Sequence, residues 1–330
     1  MRGWKQAAGM ALVLLLSVSI PAHALEASEL VPVGSTVGIR LETGGVTVAG
    51  LTDVQTEDGP VRPAEAAGLK CGDVITKIGG MATPGAAEFL TAISELDGGE
   101  TEITALRGGS EVRFTVTPAR SSEGAYQMGL WLRDGVSGIG TVTFFDPASG
   151  TYGALGHGIC DPDSGALMPF CSGCLTASSV VDIIRGAAGA PGELCGQFDA
   201  ERDCGSVDKN TAVGIFGSGM FEAAREAVPV AEEAETKLGP ATILANVDGD
   251  AVEEYSVEIS RIYRGGEDNR FMMLTVTDDA LLERTGGIVQ GMSGSPILQD
   301  GKLIGAVTHV LVNDPTRGYG ISIQDMLAAA

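Results

Sequence analysis

The residues best suited to do chemistry in this 330-residue sequence lie in one short run, Gly291-Met292-Ser293-Gly294-Ser295-Pro296. A serine hydroxyl becomes a useful nucleophile when it stands exposed on a tight turn. The backbone N–H groups of that turn must face the charge that develops on an attacked carbonyl. Flanking glycines permit such a turn, so Ser293 is the expected nucleophile, and the N–H groups of Gly291 and Ser293 are the expected oxyanion donors. Serine also needs a base within hydrogen-bond reach, in this chemistry almost always histidine. Beyond the first 24 residues the sequence has two, His157 and His309. His157 stands in Tyr152-Gly153-Ala154-Leu155-Gly156-His157-Gly158, where glycines on both sides leave an imidazole accessible. His309 stands in the apolar run Ala306-Val307-Thr308-His309-Val310 and reads better as packing or as a wall of a peptide pocket. A carboxylate that fixes the histidine tautomer would complete the set. Asp278, Asp161 and Asp163 are the candidates, and Asp278 is equally suited to cap a short helix.

These side chains need rigid elements to carry them. An Asp300-Gly301 hairpin leads into an apolar strand, Leu303 to Val310, directly after the serine run. Short helical pieces are expected at Phe221 to Val228 and Asp279 to Arg284, among many strands. Upstream, strands are expected at Thr36–Leu41, Val46–Leu51, Asp73–Ile78 and Glu111–Thr117. A single helix is expected at Ala86–Leu96, with Ala87, Leu90, Ala92, Ile93 and Leu96 on its apolar face. The polar run from Arg120 to Gly124 reads as a linker. The sequence therefore predicts a mainly β protein of two domains, 33–119 and 125–330.

Pro63-Ala64-Glu65-Ala66-Ala67-Gly68-Leu69-Lys70-Cys71-Gly72-Asp73-Val74-Ile75 resembles the signature of bacterial PDZ domains. In such domains a peptide adds as a strand beside an apolar-Gly-apolar loop. Val37, Gly38 and Ile39 are the residues here that match that loop.

Composition narrows the partners. The formal charge of -22 leaves no basic surface for nucleic acid and suits basic peptide segments better. Arg2 and Lys5, the apolar run Ala11 to Ile20, and the triplet Ala22-His23-Ala24 read as a secretory leader cleaved after Ala24; an uncleaved membrane anchor is the rival. Export permits disulfides among Cys71, Cys160, Cys171, Cys174, Cys195 and Cys204. The Cys171/Cys174 pair has no histidine at metal-ligand spacing, so thiols or disulfides are expected rather than a metal site.

The serine run resembles the nucleophile loop of chymotrypsin-like proteases, and the C-terminal region is similar throughout to the SpoIVB (stage IV sporulation protein B) peptidases. The resemblance rests on Gly138-Ile139-Gly140-Thr141-Val142-Thr143-Phe144, Gly153-Ala154-Leu155-Gly156-His157 and Thr285-Gly286-Gly287-Ile288-Val289-Gln290-Gly291-Met292-Ser293-Gly294-Ser295-Pro296. It extends to Gly305-Ala306-Val307-Thr308-His309-Val310 and Asn313-Asp314-Pro315. It implies a leader, a PDZ domain, and a chymotrypsin-like double β-barrel whose triad is His157, Asp278 and Ser293, with no metal or cofactor. The family acid is often followed by proline. Here Asp279 follows, so either carboxylate could face the imidazole. The resemblance also implies a protease released into the space between forespore and mother-cell membranes. There it would trim itself and cleave the extracytoplasmic part of a membrane complex, which activates processing of a late sigma factor. A non-catalytic PDZ adaptor would not require serine, histidine and glycines together. A quality-control protease of the HtrA kind usually has its PDZ domain after the protease, not before it.

Overall fold

Apolar residues at every second position, punctuated by glycines, fold most of the chain into antiparallel strands. The computed structural model describes residues 27–162, 165–221, 225–265 and 270–330. The expected leader, Asp163 and the middle of the expected helix at 221–228 lie outside the described residues. After β1 (Glu29–Pro32) and β2 (Thr36–Glu42), the chain leaves for an α+β unit built from β3 (Val46–Leu51), β4 (Val74–Ile78), α1 (Ala86–Ser94), β5 (Thr101–Arg107), β6 (Ser110–Val116) and β7 (Leu130–Arg133). It returns as β8 (Val136–Asp146), which lies antiparallel beside β2 with Leu41 opposite Val136 and Thr36 opposite Thr141.

β9 (Thr151–Ala154), the long hairpin of β10 (Ser172–Ile184) and β11 (Glu193–Ser206), β12 (Lys209–Thr211) and β13 (Gly214–Ser218) complete this open sheet. Its order is β11-β10-β2-β8-β9-β13-β12, with β1 paired to β8. The rest of the chain forms β14 (Gly239–Asp248), β15 (Ala251–Ile262), β16 (Met272–Val276), α2 (Asp279–Thr285), β17 (Pro296–Gln299), β18 (Lys302–Leu311), β19 (Asp314–Ser322) and α3 (Ile323–Ala329). These strands close into a barrel in the order β14-β15-β16-β19-β18-β17, around a core that includes Ile243, Leu274, Ile297 and Val307. The expected Asp300-Gly301 hairpin is present, with φ of 52° and 76° at its two residues, as a tight turn with positive φ at both positions requires.

The α+β unit has its own sheet, in the order β7-β3-β4-β5-β6, and its own core around Val48, Ile75, Phe89, Ile103 and Met128. The Gly68-to-Asp73 run shows why its residue types matter. Gly68 and Gly72 adopt φ of 92° and 85°, conformations that glycine reaches without strain. Asp73, only 1% exposed, accepts from the Lys70 N–H at 2.9 Å and takes both arms of the Arg107 guanidinium at 2.7 Å. This fork is a charge-assisted bidentate pair that pins the loop to β5.

Four expectations need correction. The α+β unit does not precede the larger fold but interrupts it, because β1 and β2 are already strands of the open sheet. Its sheet also runs past residue 119, since β7 pairs with β3. Val37, Gly38 and Ile39 are not at an open edge: they lie in β2, paired to β8 on one side and β10 on the other. Gly38 is glycine for packing, because a Cβ there would come within 2.5 Å of the Phe198 ring and 2.6 Å of Thr176 Oγ1. Finally, α1 buries Phe89 and Ala92 and leaves Leu90 67% exposed, so its inner face is rotated from the expected one.

Candidate active site

The serine run is a loop of the closed barrel held against the open sheet by β8. Thr141 Oγ1 donates to the Gly291 carbonyl at 2.8 Å, and Thr143 Oγ1 donates to the Gly294 carbonyl at 2.8 Å. The Thr141 N–H donates to the Ser293 carbonyl at 2.9 Å, and the Leu155 N–H donates to the Thr141 carbonyl at 3.1 Å. One residue of β8 therefore ties the serine loop to the turn that carries His157. These two threonines were not among the expected site residues, although their alternation in Gly140-Thr141-Val142-Thr143 puts both on one face of a strand.

Gly294 sits at φ 97°, and a Cβ there would lie 2.0 Å from the Thr141 carbonyl oxygen and 2.6 Å from the Leu155 nitrogen. Only glycine lets the two backbones approach this closely. Within the loop, the N–H groups of Met292, Gly294 and Ser295 donate to Val289, Val307 and Met292 carbonyls. Among the described residues, the N–H groups of Gly291 and Ser293 have no such backbone acceptor. The Ser293 hydroxyl donates to the Thr308 carbonyl at 2.7 Å. Ser295 is fully buried, and its hydroxyl has no hydrogen-bond partner among the described residues.

Two consecutive left-handed residues deliver His157 to the same place. Leu155 has φ 71° and Gly156 φ 70°. The first is a strained conformation for leucine, of a kind found at functional turns. Gly156 packs on β18 and β19, where a Cβ would sit 3.0 Å from Thr308 Cγ2 and 3.1 Å from Ile321 Cγ2. His157 thus stands beside the residue whose carbonyl holds the Ser293 hydroxyl. Its Nδ1 lies 2.9 Å from the Gly158 carbonyl, an acceptor that fixes the Nδ1–H tautomer and leaves Nε2 as the basic nitrogen. Burial pushes the His157 pKa down, opposed by that hydrogen bond.

The His309 ring lies beside the His157 ring, with centroids 5.1 Å apart and planes tilted by 36°. Crowding against protein, then the neighbouring His157 and Arg270, push its pKa down to about 4. His309 is therefore neutral at pH 7, and its outer edge faces solvent.

The candidate acids are distributed differently. Asp278 caps α2: Oδ1 accepts from the Leu281 N–H at 3.1 Å and Oδ2 from the Ser256 N–H at 3.3 Å. Among the described residues no hydrogen bond joins it to the His157 ring. Asp279 is the exposed first residue of α2. Asp161 is paired with Arg133. All six cysteines carry free thiols, and no group of three His, Cys, Asp or Glu side chains among the described residues could hold a metal ion.

A closed barrel and an open, barrel-like sheet that meet at a glycine-held serine define a serine peptidase of the double-barrel class, a hydrolase. The chain belongs to the SpoIVB peptidase S55 family of sporulation serine peptidases, whose family model matches residues 124–327. No curated protein matches the sequence.

Proposed function

We propose that the protein is an endopeptidase in which Ser293 attacks the peptide carbonyl while His157 accepts its proton. In the attacking state the hydroxyl turns from the Thr308 carbonyl to His157 Nε2. The Gly291 and Ser293 N–H groups bind the oxyanion, and His157 returns the proton to the leaving amine. Water then releases the acyl group by the same route in reverse. The observation that carries this reading is the pair of loop amides without backbone acceptors among the described residues, beside a serine hydroxyl and a neutral imidazole. The tautomer is fixed here by the Gly158 carbonyl, and Asp278, the acid the family resemblance implies, contributes by starting the helix that leads into the serine loop.

A fluorophosphonate probe tests the nucleophile. Ser293→Ala is expected to abolish the covalent adduct, and Ser295→Ala to keep it, since residue 295 is fully buried. Adduct formation on the Ser293→Ala protein would overturn the assignment.

The inserted unit is proposed to be a PDZ domain. Its signature run and its strand-and-helix order support this, and the docking edge moves from Val37–Ile39 to β7. That strand is an edge of its sheet, follows Met128-Gly129, and is followed directly by Asp134, whose carboxylate accepts from the first amide of α1 at 3.1 Å. A peptide of the protein itself or of its substrate would add there as a strand. Family membership supports a setting in which the enzyme is exported across the cytoplasmic membrane during spore formation. In the space between the two membranes it would trim itself and cleave the extracytoplasmic part of a membrane signalling complex, which releases processing of a late sigma factor.

A further inference from the structure

We infer that Arg133 and Asp161 form a strut through which the inserted unit positions His157, so that both are positioning residues for the peptidase reaction. Arg133 is the last residue of β7, and β7 is the strand that closes the unit and continues through Gly135 into β8. Gly135 has φ 68°, and a Cβ there would lie 2.4 Å from the Leu41 carbonyl oxygen. The turn between the unit and the open sheet is therefore tight and leaves Arg133 little freedom.

Asp161 belongs to the segment that starts at His157. Gly158 accepts the imidazole Nδ1–H, and the next three residues run antiparallel to residues 166–168. Cys160 bridges to Leu167, the Asp161 N–H donates to the Ala166 carbonyl at 2.8 Å, and the Met168 N–H donates to the Ile159 carbonyl at 2.9 Å. Asn210 fastens the base of this ladder to the open sheet: Oδ1 accepts from the Ile159 N–H at 2.9 Å, and Nδ2 donates to the Ile159 and Met168 carbonyls at 2.9 and 3.0 Å. The ladder is thus a short stiff arm, with the catalytic imidazole at one end and Asp161 three residues beyond Gly158.

The unit grips that arm at Asp161. The Arg133 guanidinium donates to Asp161 Oδ2, and the two side chains are only 27% and 10% exposed. Alongside the pair the two halves stand apart: a cleft of about 570 Å³ separates Lys70, Cys71 and Arg107 of the unit from Leu167 and Met168 of the arm. Where surfaces do not pack, a charged pair largely withdrawn from water carries the connection. Removing either partner breaks this link between the unit and the arm and lets the arm shift. A displacement of about 1 Å at a reacting group lowers rate by up to about 100-fold.

This inference rests on His157 as the base, so the experiment separates the two. Full-length protein is labelled with the fluorophosphonate probe, and the maximal inactivation rate and half-saturating concentration are measured with the melting temperature. His157→Ala should not label; normal labelling there would remove the base assignment itself. With that in hand, Arg133→Gln and Asp161→Asn should each slow maximal labelling about tenfold with unchanged half-saturation. Arg133→Lys and the exchanged pair Arg133→Asp with Asp161→Arg should restore most of the rate. Folded single variants that label at the parental rate overturn the strut. So does an exchanged pair that melts like the parent yet stays as slow as the single variants. If Arg133→Gln does not fold, the Asp161→Asn and Arg133→Lys rates decide between these outcomes.

Discussion

The two halves of the proposed catalytic site are held in different ways. The serine loop belongs to the closed barrel, is bonded on both flanks to β8, and contains a glycine that no other residue can replace without collision. The histidine turn belongs to the open sheet, rests on a strained leucine, and continues into an arm that another folded unit grips. A closed barrel has no free edge through which it can be pulled, whereas an arm on an open sheet can be moved by its neighbour. The proposed nucleophile is thus built in place, and the proposed base is the part open to control.

The sharpest way to break this contrast is Gly294→Ala. The new methyl meets backbone on both sides and forces the loop off β8, so labelling should fall at least about 100-fold while circular dichroism still reports a β protein. Labelling within a few-fold of the parent would show that the loop is not fixed as described.

Asp278 gives a smaller and more discriminating effect. Asp278→Ala removes the cap of α2 and should cost about 1 kcal/mol of stability in denaturant unfolding. Asp278→Asn keeps a capping side chain and should leave labelling within about threefold. A fall of about 10⁴ in Asp278→Asn, the cost of losing a tautomer-fixing aspartate, would instead put that carboxylate on the imidazole.

The smallest effect concerns pH. His157 must be neutral to accept a proton, and burial lowers its pKa, so labelling should be flat through pH 7 and lost on the acid side below the ordinary histidine value of about 6.5. His309→Ala uncovers one face of the ring, which relieves desolvation and raises the pKa. The acid limb should therefore move up toward 6.5, and a limb that moves down would contradict the described packing.

The serine loop was legible in the sequence because its chemistry needs contiguous residues, a turn and two donors, so Gly291, Ser293 and Gly294 announce themselves. His157 was legible because few histidines compete. The Gly68-to-Asp73 run was legible too, since its glycines and Asp73 close one local loop. What could not be read was pairing across distance. Thr36 to Leu41 alternates like any half-exposed strand, and its partners, Val136 to Thr141 and Gly173 to Ala177, lie far along the chain. Proximity in sequence therefore assigned β2 to the wrong sheet. Asp278 shows the same limit in reverse: a carboxylate at a helix start looks alike whether it caps the helix or serves an imidazole, and only the positions of Leu281 and Ser256 distinguish the two.

The place of β2 inside the open sheet bears on the self-trimming proposed above. A protease that trims its own amino-terminal region stays active only while its scaffold survives the cut. Cleavage ahead of Glu29 spares every strand described above, whereas a cut at Ser35 would leave β2 covalently joined to the chain only through the inserted unit. A fragment that starts at residue 125 would lack that strand altogether and leave two neighbours, β8 and β10, with unpaired edges. The shortest form able to hold its own active site therefore begins well before the family match does.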